Sequence, residues 1–231
     1  MKIVISSAGY IGINIIHKLY SLRYRPEQLE VWTTDIILSN FCKLHNIKIS
    51  DQITNTRADL MISVSGLSCL FPNNVLTQFT HGGINLHTGI TEQYRGRWNI
   101  SWGLINGDTT AGYTWHKMND KFDTGNVLLQ QKFTIESEDT ALSLNHRLVD
   151  HAIYSLPCVL EMIKSSGYPL LKVGHYYNQT MPFNGKINDS WDNDKVDRFI
   201  KSMYHPPHDP ASYRGHKIST FKEYLEIKGK T

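Results

Sequence analysis

Hydrophobic and polar positions repeat with two different periods along the first part of the chain. Short apolar runs at 2–6, 29–35 and 58–66 have the length and composition of buried strands. The segments 8–22 and 40–46 between them repeat apolar residues at helical spacing. This alternation predicts an α/β fold with an open, Rossmann-like, mostly parallel sheet and helices on both of its faces.

The pattern continues beyond residue 80 and then changes. A strand at 82–87 is followed by a helix at 97–107, which ends in Asn-Gly. Two further strand candidates at 111–118 and 126–135 are joined by a polar segment. Two strands so connected predict a hairpin-like antiparallel addition to the sheet.

The last hundred residues contain one long helical pattern and a segment of different composition. Residues 139–165 are amphipathic, which predicts a helix kinked at Pro157. The chain then becomes rich in Tyr, Pro, His and Gly, with one short helical candidate at 192–204. We therefore expect a main domain over 1–170 and a short C-terminal segment over 171–231, which provides substrate contacts, dimer contacts or both.

The composition limits the partners and the location of the protein. Lys and Arg total 24 against 21 Asp and Glu, so the net charge of +3 gives no sign of a nucleic-acid-binding surface. Cys42, Cys69 and Cys158 are far apart and odd in number, which favours a reducing compartment over a disulfide framework. No run approaches the roughly 20 apolar residues of a membrane span, and the N-terminus lacks a secretory pattern. We expect a soluble, cytoplasmic protein with neither membrane nor nucleic-acid partners.

Two patterns that would suggest cofactors are incomplete. Gly9 and Gly12 follow the first strand, where a dinucleotide fingerprint has its glycines, but the third glycine is missing. Turn and helix-packing roles are therefore favoured, and no NAD is predicted. His205 and His208 lie on a proline turn without further ligands at a recognisable spacing, so no metal is predicted either.

Asn85 and His87 carry the strongest chemical signal. Residues two apart in a strand point to the same side, so both side chains leave the sheet together while Ile84 and Leu86 face the core. Ligands of open α/β sheets gather at the carboxyl end of the strands, where this pair lies; the alternative is a pair that only caps a loop. Asp123 lies in a turn between two strands, where it either nucleates the turn or stabilises a protonated His87. Together the three groups can polarise a carbonyl, stabilise an oxyanion and move a proton.

Three motifs occur in order along the chain: Asn-x-His at 85–87, Tyr-Arg-Gly at 94–96, and Asp-x-Gly at 123–125, which follows a helix ending in Asn-Gly. With these motifs the chain resembles the folate-dependent formyltransferases over roughly residues 1–165. The resemblance implies formyl transfer from N10-formyltetrahydrofolate to an amine. One departure is TGITEQ at 88–93, where the family has Ser-Leu-Leu-Pro, so this loop is expected to hold its substrate differently.

The resemblance also implies roles for individual residues. Asn85, His87 and Asp123 correspond to the catalytic residues of the family. We expect the Asn85 amide and the His87 imidazolium to donate hydrogen bonds to the oxyanion that forms when a neutral amine attacks the formyl carbon. Asp123 would favour the charged form of His87 and accept the proton of the amine, directly or through water. The backbone that receives the pterin is expected at Cys69, Leu70, Phe71, Asn119, Asp120, Lys121, Phe122 and Asp123, with the Cys69 thiol a buried small side chain.

The acceptor of the formyl group is expected near the second motif. Tyr94, Arg95, Gly96 and Arg97 follow the catalytic strand, and two guanidinium groups offer the fixed donors that suit a diphosphate. A solvated surface pair is the alternative. The resemblance places Arg97 near the acceptor.

The C-terminal segment resembles the tail of the small sugar N-formyltransferases, and YRGRWNISW is most like the enzymes that act on dTDP-4-amino-4,6-dideoxyglucose. This implies a role in bacterial surface-polysaccharide synthesis, such as that of the lipopolysaccharide O-antigen, and a homodimer. A 3-amino or UDP-linked acceptor, and a non-catalytic folate- or nucleotide-binding protein, are the alternatives. The candidates for stacking on thymine, each with core or dimer packing as its alternative role, are Tyr176, Tyr177, Phe183 and Tyr213.

Overall fold

The computed structural model describes residues 1–53, 58–64, 70–164, 174–178 and 180–229. The strands in these ranges are β1 (Ile3–Ser6), β2 (Leu29–Trp32), β3 (Lys48–Ile49), β4 (Leu60–Val64), β5 (Gly83–His87), β6 (Tyr94–Gly96), β7 (Thr110–Lys117), β8 (Val127–Thr134), β9 (His175–Tyr177), β10 (Ala211–Tyr213) and β11 (His216–Ile218). The helices are α1 (Gly9–Ser21), α2 (Ile36–Leu44), α3 (Asn73–Leu76), α4 (Asn99–Asn106), α5 (Ala141–Met162), α6 (Asn193–Met203) and α7 (Phe221–Lys228). None of the helices in these ranges is long and apolar enough to cross a membrane.

Seven strands form the central sheet in the order β3-β2-β1-β4-β5-β7-β8. The pairs β2–β3, β1–β2, β1–β4 and β4–β5 are parallel, whereas β5 and β7 are antiparallel. The predicted α/β fold with an open, mostly parallel sheet is therefore confirmed. Each residue of β1 and of β4 is buried, as expected of parallel strands that are covered on both faces.

Local sequence explains several of these helices. The buried residues of α1 are Ile11, Gly12, Ile15, Ile16 and Leu19, a spacing that turns one face of the helix inward. The predicted helix at 139–165 is α5, which runs through Pro157, and the one at 192–204 is α6. The two-residue strand β3 and the four-residue helix α3 were not predicted, because neither is long enough to establish a period.

The chain folds into two compact units, each made of three segments. The first unit comprises Met1–His87, Tyr113–Gln131 and Val149–Val173, and the second comprises Thr88–Gly112, Lys132–Leu148 and Gly174–Thr231. In the first unit, an apolar cluster contains Val4, Ile53, Ala58, Met61, Phe71, Val75, Leu76 and Phe79. In the second, the larger cluster contains Ile105, Ile187, Val196, Phe199, Ile200, Met203, Ala211, Tyr213, Ile218 and Tyr224. The division at residue 170 stays a prediction.

A buried carboxylate makes the stability of the first unit dependent on pH. Glu30 is fully buried in β2, with its oxygens 3.2 Å from the Lys2 ammonium and 3.1 Å from that of Lys48. Burial raises the pKa of Glu30, but the interactions with Lys48, Lys2 and Ser50 together lower it more, so the pKa lies below its ordinary value. A lowered pKa stabilises the fold above the ordinary pKa of about 4.3, and this stabilisation is lost as the pH falls through the folded-state pKa.

We therefore expect Glu30→Gln to destabilise the protein at neutral pH and to remove part of the acid dependence. The difference in the free energy of unfolding between wild type and variant should shrink between about pH 5 and pH 3, measured by denaturant titration. Glu226→Gln is the control, because Glu226 is exposed and 4.0 Å from Lys222. A difference that stays constant over this pH range would contradict the prediction.

Candidate active site

A row of polar side chains crosses the sheet at the carboxyl ends of its strands. In the register of the sheet, Ser6 pairs with Ser63, Ser63 with Asn85, and Asn85 with His116. Residues paired in this way share one face of a sheet. Two residues earlier in β1 and β4, the same face belongs to the apolar cluster of the first unit. The face thus changes from apolar to polar where ligands of open α/β sheets bind.

The structure brings Asn85, His87 and Asp123 together at this edge. The Asp123 carboxylate has Oδ1 3.5 Å from Nδ2 of Asn85 and Oδ2 3.6 Å from Nδ1 of His87. His87 and Asp123 are buried, with 6% and 9% of their surfaces exposed. The Asp123 carboxylate and the His87 ring therefore lie within ion-pairing distance of each other, in a site that is largely closed to solvent.

His116 is a fourth member of this group, which the sequence analysis missed. Its Nε2 is 3.2 Å from Nδ2 of Asn85 and 3.3 Å from Oδ1 of Asp123, and its Nδ1 is 2.8 Å from the carbonyl oxygen of Lys117. The sequence did place His116 in a predicted strand, at 111–118. The antiparallel register that sets it opposite Asn85 has no local signature.

The loop before Asp123 gives this residue an uncommon backbone conformation. Asp123 has φ +53°, in the left-handed region that Asp and Asn tolerate better than most residues. The side chain of Asn119 stabilises the loop, since its oxygen accepts hydrogen bonds from the backbone N–H of Lys121 and the hydroxyl of Thr124. Asn119 therefore has a structural role in the turn, as an Asx turn requires.

Gly125 explains the spacing of the Asp-x-Gly motif. A Cβ at this position would overlap the carbonyl oxygen of Lys117. Only glycine lets the loop return this close to β7, and the return holds Asp123 against the side chains of the polar row.

The remaining residues predicted to receive the cofactor have different environments. Leu70 is 42% exposed, whereas the ring of Phe71 is buried in the apolar cluster, with an edge contact to Trp32 at 5.7 Å. Because its ring is buried, Phe71 can offer a ligand its backbone N–H and C=O groups, as expected from the sequence. Asp120 and Lys121 are exposed, and Phe122 is half-buried. Cys69 lies outside the described residues.

In the second unit, the Tyr-Arg-Gly motif forms a small parallel sheet with the C-terminal segment. β6 pairs with β9 in the register Tyr94–His175, Arg95–Tyr176 and Gly96–Tyr177. Gly96 has φ +85°, and a Cβ there would overlap the carbonyl oxygen of Tyr177. The motif glycine is thus required for the close approach of the two strands.

Tyr94 joins this motif to the Asn-Gly end of α4. Its hydroxyl donates to Oδ2 of Asp108 at 2.7 Å and accepts from Nδ2 of Asn106 at 2.9 Å. Burial raises the pKa of Tyr94 well above its usual range, and the Asp108 carboxylate raises it further. Gly107, at φ +74°, ends α4 in the left-handed conformation typical of a helix C-terminus. The Tyr94 hydroxyl therefore connects the Tyr-Arg-Gly motif to the Asn-Gly end of α4 by hydrogen bonds.

The loop that departs from the family pattern lines a pocket of the second unit. Tyr94 and Asp108 form one polar part of its wall. The full lining is Thr88, Gly89, Ile90, Gln93, Tyr94, Asn99, Ile100, Gly103, Asp108, Thr110, Ala111 and Gly112.

The two arginines of the motif differ in their contacts. Nε of Arg95 donates to the carbonyl oxygen of Gly174 at 2.9 Å, and its guanidinium lies 5.8 Å from the ring centre of Tyr176. The side chain of Arg97 is exposed, and its backbone N–H donates to the carbonyl oxygen of Tyr177 at 3.0 Å. Arg95 thus binds the C-terminal segment to β6, while Arg97 is accessible enough to contact a diphosphate.

Of the four aromatic residues predicted to stack on thymine, three are at least partly exposed and one is buried. Tyr176 and Phe183 are 40% and 44% exposed, and Tyr177 packs against Trp102 with ring centres 5.0 Å apart. Tyr213 is only 2% exposed. Its ring packs on another aromatic ring of the core, and its hydroxyl donates to Asp189. The prediction that Tyr213 stacks on a base is therefore wrong: Tyr213 is a core residue and has no exposed face on which a base could stack.

Among the described residues, no group of three or more His, Cys, Asp or Glu side chains is arranged to hold a metal ion. The rings of His205 and His208 stack on each other with centres 5.6 Å apart.

Comparisons with known proteins identify the family. Residues 33–160 match the family model described as formyl transferase. GDP-perosamine N-formyltransferase of Brucella melitensis is 33% identical in an alignment over 186 residues, and the match covers 75% of this chain and 71% of that protein.

Two solved structures share the fold. An N-formyltransferase from Helicobacter canadensis, in complex with folinic acid and dTDP-3-aminofucose, has a TM-score of 0.80 at 19% identity, covering 95% of this chain and 86% of that one. A sugar 3-N-formyltransferase solved with dTDP and 5-N-formyl-THF has a TM-score of 0.79 at 20% identity, covering 95% and 85%. With the family model matching over half of its length, the chain belongs to the formyl transferase family.

Proposed function

We propose that this protein transfers the formyl group of N10-formyltetrahydrofolate to the amino group of a nucleotide-linked amino sugar. The observation that carries the proposal is the buried convergence of Asn85, His87 and Asp123, on the motifs of a formyl transferase. The relative from Brucella is named for a nucleotide sugar, and both structural neighbours were solved with a formylated folate and a dTDP-containing ligand.

The three side chains divide the chemistry between them. Attack of a neutral amine on the formyl carbon places a negative charge on the formyl oxygen. Asn85 donates one amide N–H to this oxygen and His87, as imidazolium, donates another, so both hydrogen bonds strengthen as the charge develops. Asp123 stabilises the charged ring at 3.6 Å.

Protons must also balance in the transfer. The attacking nitrogen loses one proton as its bond to the formyl carbon forms, and the departing N10 nitrogen of the folate gains one. Asp123 is the carboxylate of the group: it accepts the first proton, directly or through water, and returns it to N10 as the bond to the formyl carbon breaks.

We propose that the acceptor is the 4-amino group of a dTDP-linked 4-amino-4,6-dideoxyhexose. The specific sugar proposed is dTDP-4-amino-4,6-dideoxyglucose. Tyr176 and Phe183 offer exposed aromatic faces to a base, and the exposed Arg97 offers a cation to the diphosphate. All three belong to the second unit, as does the pocket lined by the unusual loop at 88–93. The cytoplasmic location, the role in surface-polysaccharide synthesis and the homodimer stay predictions.

The acceptor is tested by incubating the protein with N10-formyltetrahydrofolate and a panel of amino sugars, and by following tetrahydrofolate release. The panel pairs 4-amino with 3-amino sugars on thymidine and uridine diphosphate, and adds GDP-perosamine, for which the Brucella relative is named. We expect kcat/KM to be highest for the dTDP-linked 4-amino sugar. A higher value for another member reassigns the acceptor. Tight binding of folate and sugar without turnover of any member would favour a non-catalytic binding protein.

A further inference from the structure

His116 lies opposite Asn85 on the neighbouring antiparallel strand, and its hydrogen bonds determine which of its ring nitrogens carries a hydrogen. The carbonyl oxygen of Lys117, 2.8 Å from Nδ1, can only accept, so Nδ1 carries a hydrogen and donates it. In the neutral ring, Nε2 is then left as an acceptor. The backbone of β7 thus fixes the tautomer of His116.

The acceptor so created faces the amide of Asn85. Nδ2 of Asn85 can only donate, and it lies 3.2 Å from Nε2 of His116 and 3.5 Å from Oδ1 of Asp123. These two acceptors are themselves 3.3 Å apart, so the three atoms form a nearly equilateral triangle. Because both acceptors lie against the same nitrogen, the amide is held with its nitrogen, and not its oxygen, toward His116 and Asp123.

We propose that His116 is a positioning residue, which holds the Asn85 amide so that its second N–H faces the developing oxyanion. If the amide turned over, its oxygen would lie against two acceptors, and a carbonyl oxygen could face the oxyanion instead of a donor. Asp123 also disfavours the reversed amide, but its Oδ1 lies 3.5 Å from Nδ2 of Asn85, at the limit of a hydrogen bond. Nε2 of His116 lies closer, at 3.2 Å. The inference rests on the proposed function and concerns the orientation of one of its groups.

The test compares His116→Phe, which keeps a ring but has no acceptor, with His116→Gln, whose side-chain oxygen can accept from Asn85. Loss of one hydrogen bond that orients a reacting group is expected to lower kcat about tenfold in His116→Phe, with both KM values within about twofold. His116→Gln is expected to recover most of that loss. Equal losses in the two variants would overturn the proposal.

A double-mutant cycle separates positioning from a structural effect. In an Asn85→Ala background, the amide is gone, so adding His116→Phe is expected to change kcat by less than about twofold. If His116→Phe lowered kcat by the same factor in both backgrounds, His116 would act independently of Asn85 and the proposal would fail.

A measurement that needs no turnover distinguishes this failure from failure of the proposed function. Long-range ¹H–¹⁵N spectra of the labelled wild-type protein report which nitrogen of a neutral ring carries the hydrogen. We expect Nδ1 of His116 to be protonated and Nε2 bare, and the Asn85 amide signals to shift in His116→Phe. A hydrogen on Nε2, whether the ring is neutral or charged, would overturn the proposal even in a fully active enzyme. An inactive wild type with the expected tautomer would count against the proposed activity instead.

Discussion

His87→Ala is expected to lower kcat by about a hundredfold or more, with little change in either KM. The imidazolium donates to the oxyanion, which exists only after the amine attacks, so its loss removes an interaction specific to the transition state. Removing a single donor of this kind typically costs about 10²- to 10³-fold in kcat. Steady-state rates of tetrahydrofolate release at saturating substrates measure the effect.

The fold should survive this substitution well enough to make the rate interpretable. His87 is the last residue of β5, so the strand's pairing with β4, from Met61–Gly83 to Val64–Leu86, does not use its side chain. His17→Ala is the matched control, since His17 is an exposed histidine of α1 whose ring makes a T-shaped contact with the ring of Phe41. A His87→Ala variant with near-normal kcat would remove His87 from the proposed mechanism.

The elements that the sequence predicted are those with a recognisable pattern of apolar positions. The helices α1 and α6 repeat these positions at helical spacing, β1 is a short apolar run, β5 alternates between apolar and polar side chains, and each was located to within a few residues. The convergence of Asn85 and His87 followed from the same reasoning, because two residues of one strand share a face whatever the rest of the fold does.

What the sequence did not predict depends on long-range pairing. β6 and β9 have three residues each and pair across about eighty positions, so neither has a recognisable pattern by itself. His116 was missed for a related reason: its partner is set by the register of β7 on β5, and shifting that register by one residue would move His116 to the other face. Tyr213 was assigned to a ligand from its residue type, but burial in the core cannot be derived from three residues of hairpin strand.

Asp123 is a position where the substitution must be chosen with the backbone in mind. At φ +53°, an alanine would add backbone strain to the loss of the carboxylate, whereas asparagine adopts this conformation readily. Asp123→Asn therefore removes the charge and the proton acceptor while keeping the shape of the side chain and the turn. Thermal unfolding should confirm that the variant folds, since no buried volume is lost.

We expect Asp123→Asn to lower kcat by about 10²- to 10⁴-fold, the range typical of a lost general base. Two effects act in the same direction. The proton of the attacking amine loses its acceptor, and the charged form of His87 loses the opposite charge 3.6 Å away. The amide can replace neither function. Asp150→Asn, at an exposed position of α5, controls for the general effect of removing a carboxylate. If Asp123→Asn turned over within about tenfold of wild type, proton transfer would have to use another group, and His116, 3.3 Å from the same carboxylate, would be the first to test.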